Sequence, residues 1–508
     1  MPFGLAAASG LLLAFSFPKF GHAALAWVAL APLLVAVQRT TVLRAFQLGL
    51  VTGAIYFTGT LYWITQVMAV YGGLPTVVAA LINLLLVAYL ALFPAAFAMI
   101  LGRLSMTLGP RSLAVAPFAW VATELGRSYL LTGFPWVLLG YSQAKVLPIA
   151  QFASVCGVYG LSALIASVSA GLAYSAARQW PGHHVRRPAG LTAYAPVALA
   201  MAVVIATGVW GAARMRHGEI VRTGDAVTVG LVQGNVDQAD KWDQSRSAGI
   251  FRDYLAMTRR AIAEGAQVVL WPESSAPFYF QEDQPGAEQV RAIARETKVP
   301  ILVGSDEIVH GSPTTYYNAA FLVGPDGAER GTYRKMHLVP FGEYVPMKAL
   351  LFFAAPLVQA VSDFTAGDAV ALLPVRGRFM STAICYEIVY PDLVRRAVNA
   401  GSDLLTTITN DAWFGASSAP YQHFEQASMR AIENGRYLVR AANTGISGIV
   451  DPYGRVVVQT QIFQPAVVVG QARFVRGHTI YGRIGDVFAY GSAACTLGAL
   501  LFVRRRVR

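Results

Sequence analysis

The sequence predicts a polytopic α-helical membrane domain of about eight transmembrane helices joined to an α/β domain. Two features of the composition predict the membrane part: hydrophobic residues make up 55% of the chain, and only 13% of its 508 residues are charged. An average soluble domain carries about 25% charged residues. A third observation predicts the α/β part, because charges and turn signals return between residues 225 and 476.

Apolar runs mark the transmembrane helices, since a helix needs roughly 20 apolar residues to cross the hydrocarbon core. The predicted spans are 5–17, which is short, 23–37, 45–64, 77–101, 113–131, 149–177, 191–213 and 484–503. The first run lacks the charged n-region and the cleavage site of a signal peptide, so we expect a retained helix. The predicted domains are 1–216 (seven transmembrane helices), 225–476 (extramembrane) and 484–503 (a C-terminal transmembrane helix).

Basic residues in the short loops predict the orientation. The basic set is Arg39, Arg44, Arg103, Arg111, Arg178, Arg186, Arg187 and the Arg-rich tail 504–508. The alternate loops contain only Lys19, Arg127 and Lys145. With the basic set inside, both termini are cytoplasmic and residues 225–476 face outward, into the periplasm of a bacterium. The net charge of +12 therefore indicates contact with anionic lipid, and without a basic-aromatic motif we expect no nucleic-acid partner.

Short apolar strands alternate with helical stretches inside 225–476, which is typical of an α/β domain. The predicted strands are 227–233, 268–270, 300–303, 319–323, 381–385 and 404–409. The predicted helices are 248–264, 288–297, 392–400 and 424–433.

Cys385 is the cysteine that stands out, because Cys156 and Cys495 lie inside apolar runs, where a buried hydrophobic role is expected. Cys385 ends a predicted strand, and a helix beginning at Pro391 follows. That arrangement brings a thiol to the carboxyl end of a strand near a helix N-terminus, where a thiolate is stabilised. From this segment alone, an inert buried cysteine is an equally good interpretation.

Two further residues complete a candidate set. Glu273 follows a hydrophobic strand and an X-Pro bend, and burial against Trp271 is expected to raise its pKa, which suits a general base. Lys335 lies in a segment with Arg, His, Tyr and Glu, and it is suited to hold an oxyanion or sustain a thiolate. Each residue alone fits an ordinary surface position. His337 has no second His or Cys at ligand spacing, so we expect no metal site.

Taken together and in this order, Glu273, Lys335 and Cys385 resemble the Glu–Lys–Cys triad of the nitrilase (carbon–nitrogen hydrolase) superfamily. The resemblance covers about 225–476 and implies an α-β-β-α sandwich. It also implies that Glu273 is the proton acceptor, Lys335 the oxyanion-stabilising cation and Cys385 the nucleophile.

The flanking transmembrane helices extend the resemblance to the membrane-embedded branch of that superfamily, the bacterial apolipoprotein N-acyltransferases. The motifs are Gln233-Gly234-Asn235, Lys241-Trp242-Asp243, Trp271-Pro272-Glu273, Tyr317-Asn318, the run from Lys335 to Glu343, Cys385-Tyr386-Glu387, the run from Asn410 to Gly415, and Gly133-Phe134-Pro135-Trp136. The loop after Gly415 is smaller and less charged than the family pattern, which leaves the local substrate contacts open.

This resemblance implies a reaction and a location. The enzyme would move an acyl chain from a membrane phospholipid, through a cysteine thioester, to the α-amine of the N-terminal diacylglyceryl-cysteine of a lipoprotein. It would do so at the bacterial inner membrane, with no cofactor and no metal.

Supporting or substrate-binding roles follow for a second set of residues. These are Glu343, Trp242, Tyr386, Glu387, Asn318, Trp413 and Trp136. Glu343 is expected to orient Lys335 or support Glu273. Trp242, Trp413, Phe341 and Phe414 are expected to shield the thioester and contact acyl chains, and simple packing is the alternative. Tyr386 and Glu387 follow the nucleophile and are expected to shape the pocket. In the fifth span, Glu124 and Arg127 are spaced to pair with each other or to contact a lipid headgroup.

Two other functions remain open at this point. A membrane-tethered nitrilase-type amidase or hydrolase would use the same triad and deliver water to the thioester, and the product distinguishes it. A transporter or scaffold is the other, but the spans contain few ionisable residues and no paired helix breaks of the kind that mark transport sites.

Overall fold

The computed structural model describes residues 1–38, 40–179, 191–344 and 364–507. Arg39, Arg186, Arg187 and Arg508 of the predicted basic set lie outside the described residues. The chain forms two compact units. The helical unit comprises Met1–Thr65, Val77–His217 and Thr479–Arg508, and the sandwich unit comprises Gln66–Thr76 and Gly218–His478.

The first part of the chain is helical because its sequence is apolar on all sides and offers no period-2 pattern. Its α-helices are α1 (Pro2–Phe15), α2 (Ala23–Ala29), α3 (Ala31–Val37), α4 (Val42–Leu61), α5 (Trp63–Val70), α6 (Thr76–Leu108), α7 (Ala116–Tyr129), α8 (Leu147–Ala150), α9 (Ala153–Gln179) and α10 (Ala195–His217). At the other end of the chain lie α16 (Ile480–Ile484) and α17 (Val487–Val507). The 3₁₀ turns of this unit are Gly109–Val115, Leu130–Thr132, Leu139–Gln143 and Leu191–Ala193.

Five helical stretches within the described ranges are long and apolar enough to cross a membrane. They are Val42–Leu61, Thr76–Thr132, Ala153–Ala177, Ala195–Arg222 and Val487–Arg506. The second contains two of the predicted spans, 77–101 and 113–131. The first two predicted spans correspond to shorter apolar helices, Pro2–Phe15 and Ala23–Val37.

Glu124 and Arg127 are both buried in the helical unit, where they organise the segment that follows α7. Arg127 Nη1 donates to the carbonyl oxygens of Phe134 at 3.1 Å and Trp136 at 2.6 Å. The backbone N–H of Leu139 donates to Glu124 Oε1 at 2.7 Å. Both side chains therefore form hydrogen bonds with backbone groups. These bonds compensate for their burial, so no contact with a lipid headgroup is needed to explain it.

The sandwich unit contains two mixed six-stranded sheets, ordered β12-β1-β2-β3-β4-β5 and β11-β10-β9-β8-β7-β6. The strands are β1 (Asp225–Gln233), β2 (Val268–Leu270), β3 (Ile301–Val309), β4 (Thr315–Val323), β5 (Glu329–Arg334), β6 (Leu373–Val375), β7 (Arg378–Ile384), β8 (Leu404–Thr409), β9 (Leu438–Ala442), β10 (Gly448–Val450), β11 (Val456–Gln459) and β12 (Ala466–Phe474). The helices are α11 (Glu219–Arg222), α12 (Gln244–Ala263), α13 (Gln284–Thr297), α14 (Pro391–Ala400) and α15 (Ala419–Asn434). Its 3₁₀ turns are Asp240–Trp242, Cys385–Val389 and Asp411–Phe414.

Strand alternation builds the layers of the sandwich. In β2, Val268 and Leu270 point into the core between the two sheets, whereas Val269 packs in a second core with residues of α12 and α13. The inter-sheet core takes residues from both sheets, such as Leu231 of β1 and Ile408 of β8. The unit is thus an α-β-β-α sandwich, and the predicted combination of a helical membrane domain with a nitrilase-like domain is confirmed.

Candidate active site

The three predicted catalytic residues each follow directly on a strand. Glu273 lies just past β2, Lys335 follows β5, and Cys385 follows β7, so both sheets contribute. Lys335 Nζ is 3.2 Å from Glu273 Oε1, with both side chains buried. Cys385 is buried close enough to both for each to shift the pKa of its thiol. The sandwich therefore brings together residues that are 112 positions apart in sequence (385 minus 273).

Glu273 is a buried carboxylate with a full set of donors. Asn318 Nδ2 donates to its Oε1 at 2.8 Å, and the backbone N–H of Asn410 donates to its Oε2 at 2.9 Å. Burial raises the pKa of Glu273, but Lys335, the Asn318 amide and Lys241 outweigh it and hold that pKa below the usual range. The expectation of a raised pKa was therefore wrong, because cations distant in sequence surround the carboxylate.

Lys335 is held by two carboxylates. Its Nζ lies 2.8 Å from Glu343 Oε1, and Glu343 also accepts from Asn318 Nδ2 at 2.9 Å and from the Val339 N–H at 2.8 Å. Burial lowers the pKa of Lys335, but Glu273 and Glu343 raise it well above its ordinary value. The Lys335 side chain is thus an ammonium ion that two carboxylates hold in position, which suits stabilisation of an oxyanion.

Cys385 has a left-handed backbone conformation with φ of 52°, which a non-glycine residue adopts only when its surroundings impose it. Burial raises the pKa of its thiol, and the Glu273 carboxylate raises it further. Lys335 and a hydrogen bond with Thr409 lower it, but the net shift is upward. The thiolate stabilisation expected at a helix N-terminus is therefore outweighed by burial and by Glu273. The resting site combines a thiol, a carboxylate and an ammonium ion, and the thiol needs a base to react.

A glycine makes room for the bend that carries Glu273. A Cβ atom at Gly304 of β3 would lie 2.0 Å from the carbonyl oxygen of Pro272 and 2.9 Å from the Cα of Glu273. The Gly304 carbonyl accepts hydrogen bonds from the backbone N–H groups of Ser275 at 2.8 Å and Ala276 at 3.1 Å. The bend is thus packed directly against the neighbouring strand.

Glu387, predicted as a supporting residue, ties the Lys335 segment to the Cys385 segment. It is fully buried, and its carboxylate accepts from the Tyr333 hydroxyl at 2.8 Å and from the N–H groups of Met336 at 2.7 Å and Ile384 at 2.7 Å. Burial raises the pKa of Glu387 to about 7, although the Ile384 N–H and the Lys335 charge act against the rise. Its geometry is that of a positioning residue.

The predicted aromatic residues lie in several different parts of the structure. Tyr386 is buried and lies edge-on to Tyr390, with ring centroids 5.2 Å apart. Trp413 lies edge-on to Tyr71 at 5.5 Å, which brings the segment Gln66–Thr76 against the loop after β8.

Three more aromatic residues belong to the predicted set. The Trp242 side chain lies outside the described part of the structure. Trp136 is buried in the helical unit, 5.4 Å from the Trp63 ring. Phe341 is 41% exposed, close in sequence to Glu343. Substrate contact by any of these residues stays a prediction.

Several buried residues near the site were not predicted as site residues. Lys241 Nζ lies 3.4 Å from the backbone carbonyl oxygen of Glu273, and Asn410 donates to the Glu273 side chain. Behind Cys385, His423 forms a buried network with Asp411 and Arg440. The motifs around Lys241 and Asn410 were visible in the sequence. Arg440 left no signal there beyond a polar residue among apolar neighbours, and His423 lies in a mostly polar segment that gave none.

Comparison with known proteins follows the same division of the chain. The model of the apolipoprotein N-acyltransferase N-terminal domain matches residues 9–171, and the carbon–nitrogen hydrolase model matches 228–476. An apolipoprotein N-acyltransferase from Geobacter metallireducens is 43% identical over 99% of this chain and 96% of its own. The enzyme of that name from Methylococcus capsulatus is 36% identical over the same shares. A carbon–nitrogen hydrolase structure from Helicobacter pylori, 14% identical, gives a TM-score of 0.39 over 49% of this chain and 89% of that one.

Proposed function

The chain belongs to the apolipoprotein N-acyltransferase family, and on that premise we propose how this acyltransferase works. It moves a fatty acyl chain from a membrane phospholipid, through a thioester on Cys385, to the α-amino group of the N-terminal diacylglyceryl-cysteine of a lipoprotein. The observation that carries the proposal is the buried Glu273–Lys335–Glu343 cluster beside Cys385. That cluster supplies a base and an oxyanion-stabilising cation for one nucleophile.

The first half-reaction forms the thioester. Glu273 enters it ionised, because its pKa lies below the usual range, and Cys385 enters it as a thiol. Glu273 takes the thiol proton while Sγ bonds to the ester carbonyl carbon of the phospholipid, and Lys335 stabilises the oxygen that becomes negative. The ester C–O bond then breaks. Glu273 returns its proton to the leaving oxygen, which releases a lysophospholipid.

The second half-reaction consumes the thioester. The α-amine of the acceptor attacks the thioester carbonyl carbon, and Lys335 again faces the oxyanion. A C–N bond forms, the C–S bond breaks, and Glu273 takes a proton from the amine. That proton passes to the Cys385 sulfur, so the enzyme returns to its starting state with an amide as product.

Lys335 also explains how one base can serve both steps. When Glu273 becomes protonated, its attraction for Lys335 disappears, but Glu343 still holds the ammonium group at 2.8 Å. The cation therefore keeps its place at the moment when the oxyanion forms. Electrostatic stabilisation is most effective when such a group needs no reorganisation.

We further propose that the chain lies in the bacterial inner membrane, with the sandwich unit in the periplasm and both termini in the cytoplasm. The five apolar helical stretches support membrane insertion, and the basic loops support this orientation. Donor and acceptor are both anchored by acyl chains, so a membrane-bound active site meets them at high local concentration. Neither substrate requires a cofactor or a metal.

The hydrolase alternative is not favoured, because the similarity to N-acyltransferases extends over nearly the whole chain, including the helical unit. A membrane-tethered hydrolase would pass the acyl group to water. The test of this point is the product formed when phospholipid and a diacylated lipopeptide are supplied together. We expect a fatty amide on the lipopeptide, and release of free fatty acid in its place would contradict the proposal.

The nucleophile is tested by the intact mass of the purified full-length enzyme after incubation with phospholipid alone. We expect the wild-type protein to gain the mass of one acyl chain, and hydroxylamine to remove it. The Cys385→Ala variant should gain nothing, whereas Cys495→Ala, which removes an exposed cysteine, should behave as wild type. An acyl gain that persists in Cys385→Ala would contradict the mechanism.

A further inference from the structure

We propose that His423 is a positioning residue that fixes the backbone of Cys385 in the conformation from which its thiol reacts. His423 lies on α15 and is fully buried. Its Nε2 is 3.1 Å from the carbonyl oxygen of Cys385. A carbonyl oxygen only accepts hydrogen bonds, so Nε2 carries the proton and donates it. His423 thus touches the backbone of the nucleophile and acts on the reaction through it.

Cys385 requires such a partner because of its backbone. At φ of 52° its Cβ is crowded by backbone atoms, and a residue persists there only when several contacts hold it. The peptide group that follows is planar, so a hydrogen bond to its oxygen fixes the whole plane. That plane in turn fixes the direction of the Cα–Cβ bond and the range of positions open to Sγ.

The imidazole is itself held from behind by an ion pair. Its Nδ1 is 3.1 Å from Asp411 Oδ1 and 3.0 Å from Arg440 Nη2. Arg440 Nη2 also lies 2.7 Å from Asp411 Oδ2, with both side chains fully buried. A guanidinium nitrogen only donates, so the contact with Arg440 Nη2 favours an unprotonated Nδ1, whereas Asp411 Oδ1 only accepts and favours a proton there. The carbonyl oxygen of Cys385 also only accepts, and together with Arg440 it favours the neutral tautomer in which Nε2 donates to Cys385.

Other contacts support the same arrangement. Thr409 Oγ1 donates to Asp411 Oδ1 at 2.9 Å, and Arg440 Nε donates to the carbonyl oxygen of Ile446 at 3.1 Å. A Cβ atom at Gly445 would lie 2.1 Å from Asp411 Oδ2, so the glycine leaves space for the carboxylate. Burial lowers the pKa of His423, and Arg440 adds to this, so the ring is neutral. Its role is accordingly to orient Cys385.

Three substitutions at one position test the inference. His423→Leu removes the donor and keeps an apolar side chain of similar bulk. In His423→Gln the side-chain amide nitrogen occupies about the place of Nε2, so it can donate to the Cys385 carbonyl. In His423→Asn the amide is one methylene shorter and reaches only toward Asp411. The Gln and Asn variants have the same chemistry, so their comparison stands even where the Leu variant fails to fold.

The rate of acyl-enzyme formation on the full-length protein is the primary measurement. At saturating phospholipid we expect His423→Leu and His423→Asn to be slower by about 30- to 100-fold, with KM changed by less than about threefold. We expect His423→Gln to form the acyl-enzyme at least about tenfold faster than His423→Leu and His423→Asn. Ser428→Ala, which removes a buried hydroxyl of the same helix that bonds to the Phe424 carbonyl, should match wild type. Equal losses in Gln and Asn, or losses confined to KM, would overturn the inference.

This inference rests on Cys385 being the nucleophile, and a second measurement separates the two. The rate of Cys385 alkylation by iodoacetamide, followed by mass at the Cys385 peptide, needs no acyl donor. We expect the alkylation rate to decrease in the order wild type, His423→Gln, His423→Asn, His423→Leu. Acylation at a residue other than Cys385, with that order intact, would sink the proposed mechanism and leave the positioning role standing. Acylation on Cys385 without that order of alkylation rates would support the proposed mechanism and overturn the positioning role of His423.

Discussion

The ammonium nitrogen of Lys335 lies 2.8 Å from Glu343 Oε1, closer than the 3.2 Å that separates it from Glu273 Oε1. Lys335 is thus shared between the proposed base and a carboxylate that takes no proton in the mechanism. Burying three such charges is costly unless each is paired, and here the pairing is reciprocal. Glu343 therefore keeps the cation in place while Glu273 changes its charge.

Glu343→Gln tests this role. The substitution keeps the size of the side chain but removes the charge that holds Lys335 when Glu273 is protonated. We expect thioester formation to slow by about 10- to 100-fold, because the oxyanion loses a preorganised partner. Glu329→Gln, an identical change at an exposed position of β5, is the matched control and should leave the rate unchanged. Equal rates for the two variants would remove Glu343 from the mechanism.

Asn318→Asp tests the electrostatics of the base. The Asn318 amide donates to both Glu273 and Glu343, and its bond to Glu273 helps to lower the pKa of that carboxyl. An aspartate of the same shape removes the donor and adds a like charge, so the pKa of Glu273 should rise. Because the ionised form is the active one, the acidic limb of the pH profile for thioester formation should move to higher pH. A limb that stays in place would show that Glu273 is not the group that titrates.

Glu273 and Cys385 were predictable because each follows a recognisable apolar strand, whereas Lys335 was predicted only from its motif and from its order with the other two residues. The prediction failed for the pKa shifts of Glu273 and Cys385. Glu273 was judged by its chain neighbour Trp271, whereas its pKa is set by Lys335, 62 residues later, and by Lys241, 32 residues earlier. Through-space charges of this kind are invisible along the chain. The same applies to Cys385, because burial and the Glu273 carboxylate raise the pKa of its thiol.

The fold was predictable to a similar degree. Strands rich in aliphatic and β-branched residues next to a turn signal or a site motif, such as β1 and β8, were predicted. The strands β5, β6 and β9 to β12 were not, and β9 shows why. Its sequence includes Arg440, which argues against a buried strand until one knows that Asp411 neutralises it from 29 residues away. The His423 network was missed for the same reason.

Gly304→Ala should damage the site through the backbone alone. The added Cβ would lie 2.0 Å from the Pro272 carbonyl oxygen, so the bend that carries Glu273 has to move. We expect at least about a tenfold loss in thioester formation, since small displacements of a catalytic group are costly, together with a lower Tm. Gly249→Ala is the control, because a Cβ there meets nothing within 4 Å and alanine favours the helix α12. A Gly304→Ala enzyme with normal activity would mean that the bend tolerates displacement.

Asp411 links the network behind Cys385 to stability in acid. Burial raises its pKa, but Arg440 leads the causes that outweigh burial and hold the pKa well below the usual range. A carboxyl whose pKa is depressed in the folded state stabilises the fold above its unfolded pKa of about 3.9, and this stabilisation is lost as the pH falls below that value. The Tm of the full-length enzyme should therefore fall between about pH 5 and pH 3.

Asp411→Asn removes this contribution, since asparagine cannot be ionised. At pH 7 the Tm should drop by about 5–10 °C, because Arg440 loses its buried partner. Toward pH 3 the Tm of the variant should decline less steeply than that of the wild type. Asp392→Asn removes a charge that pairs with Arg395 and Arg396 at the surface, and it should change the Tm very little. Parallel pH profiles for Asp411→Asn and the wild type would mean that Asp411 is not ionised in the folded enzyme, and the ion pair that holds His423 would have to be discarded.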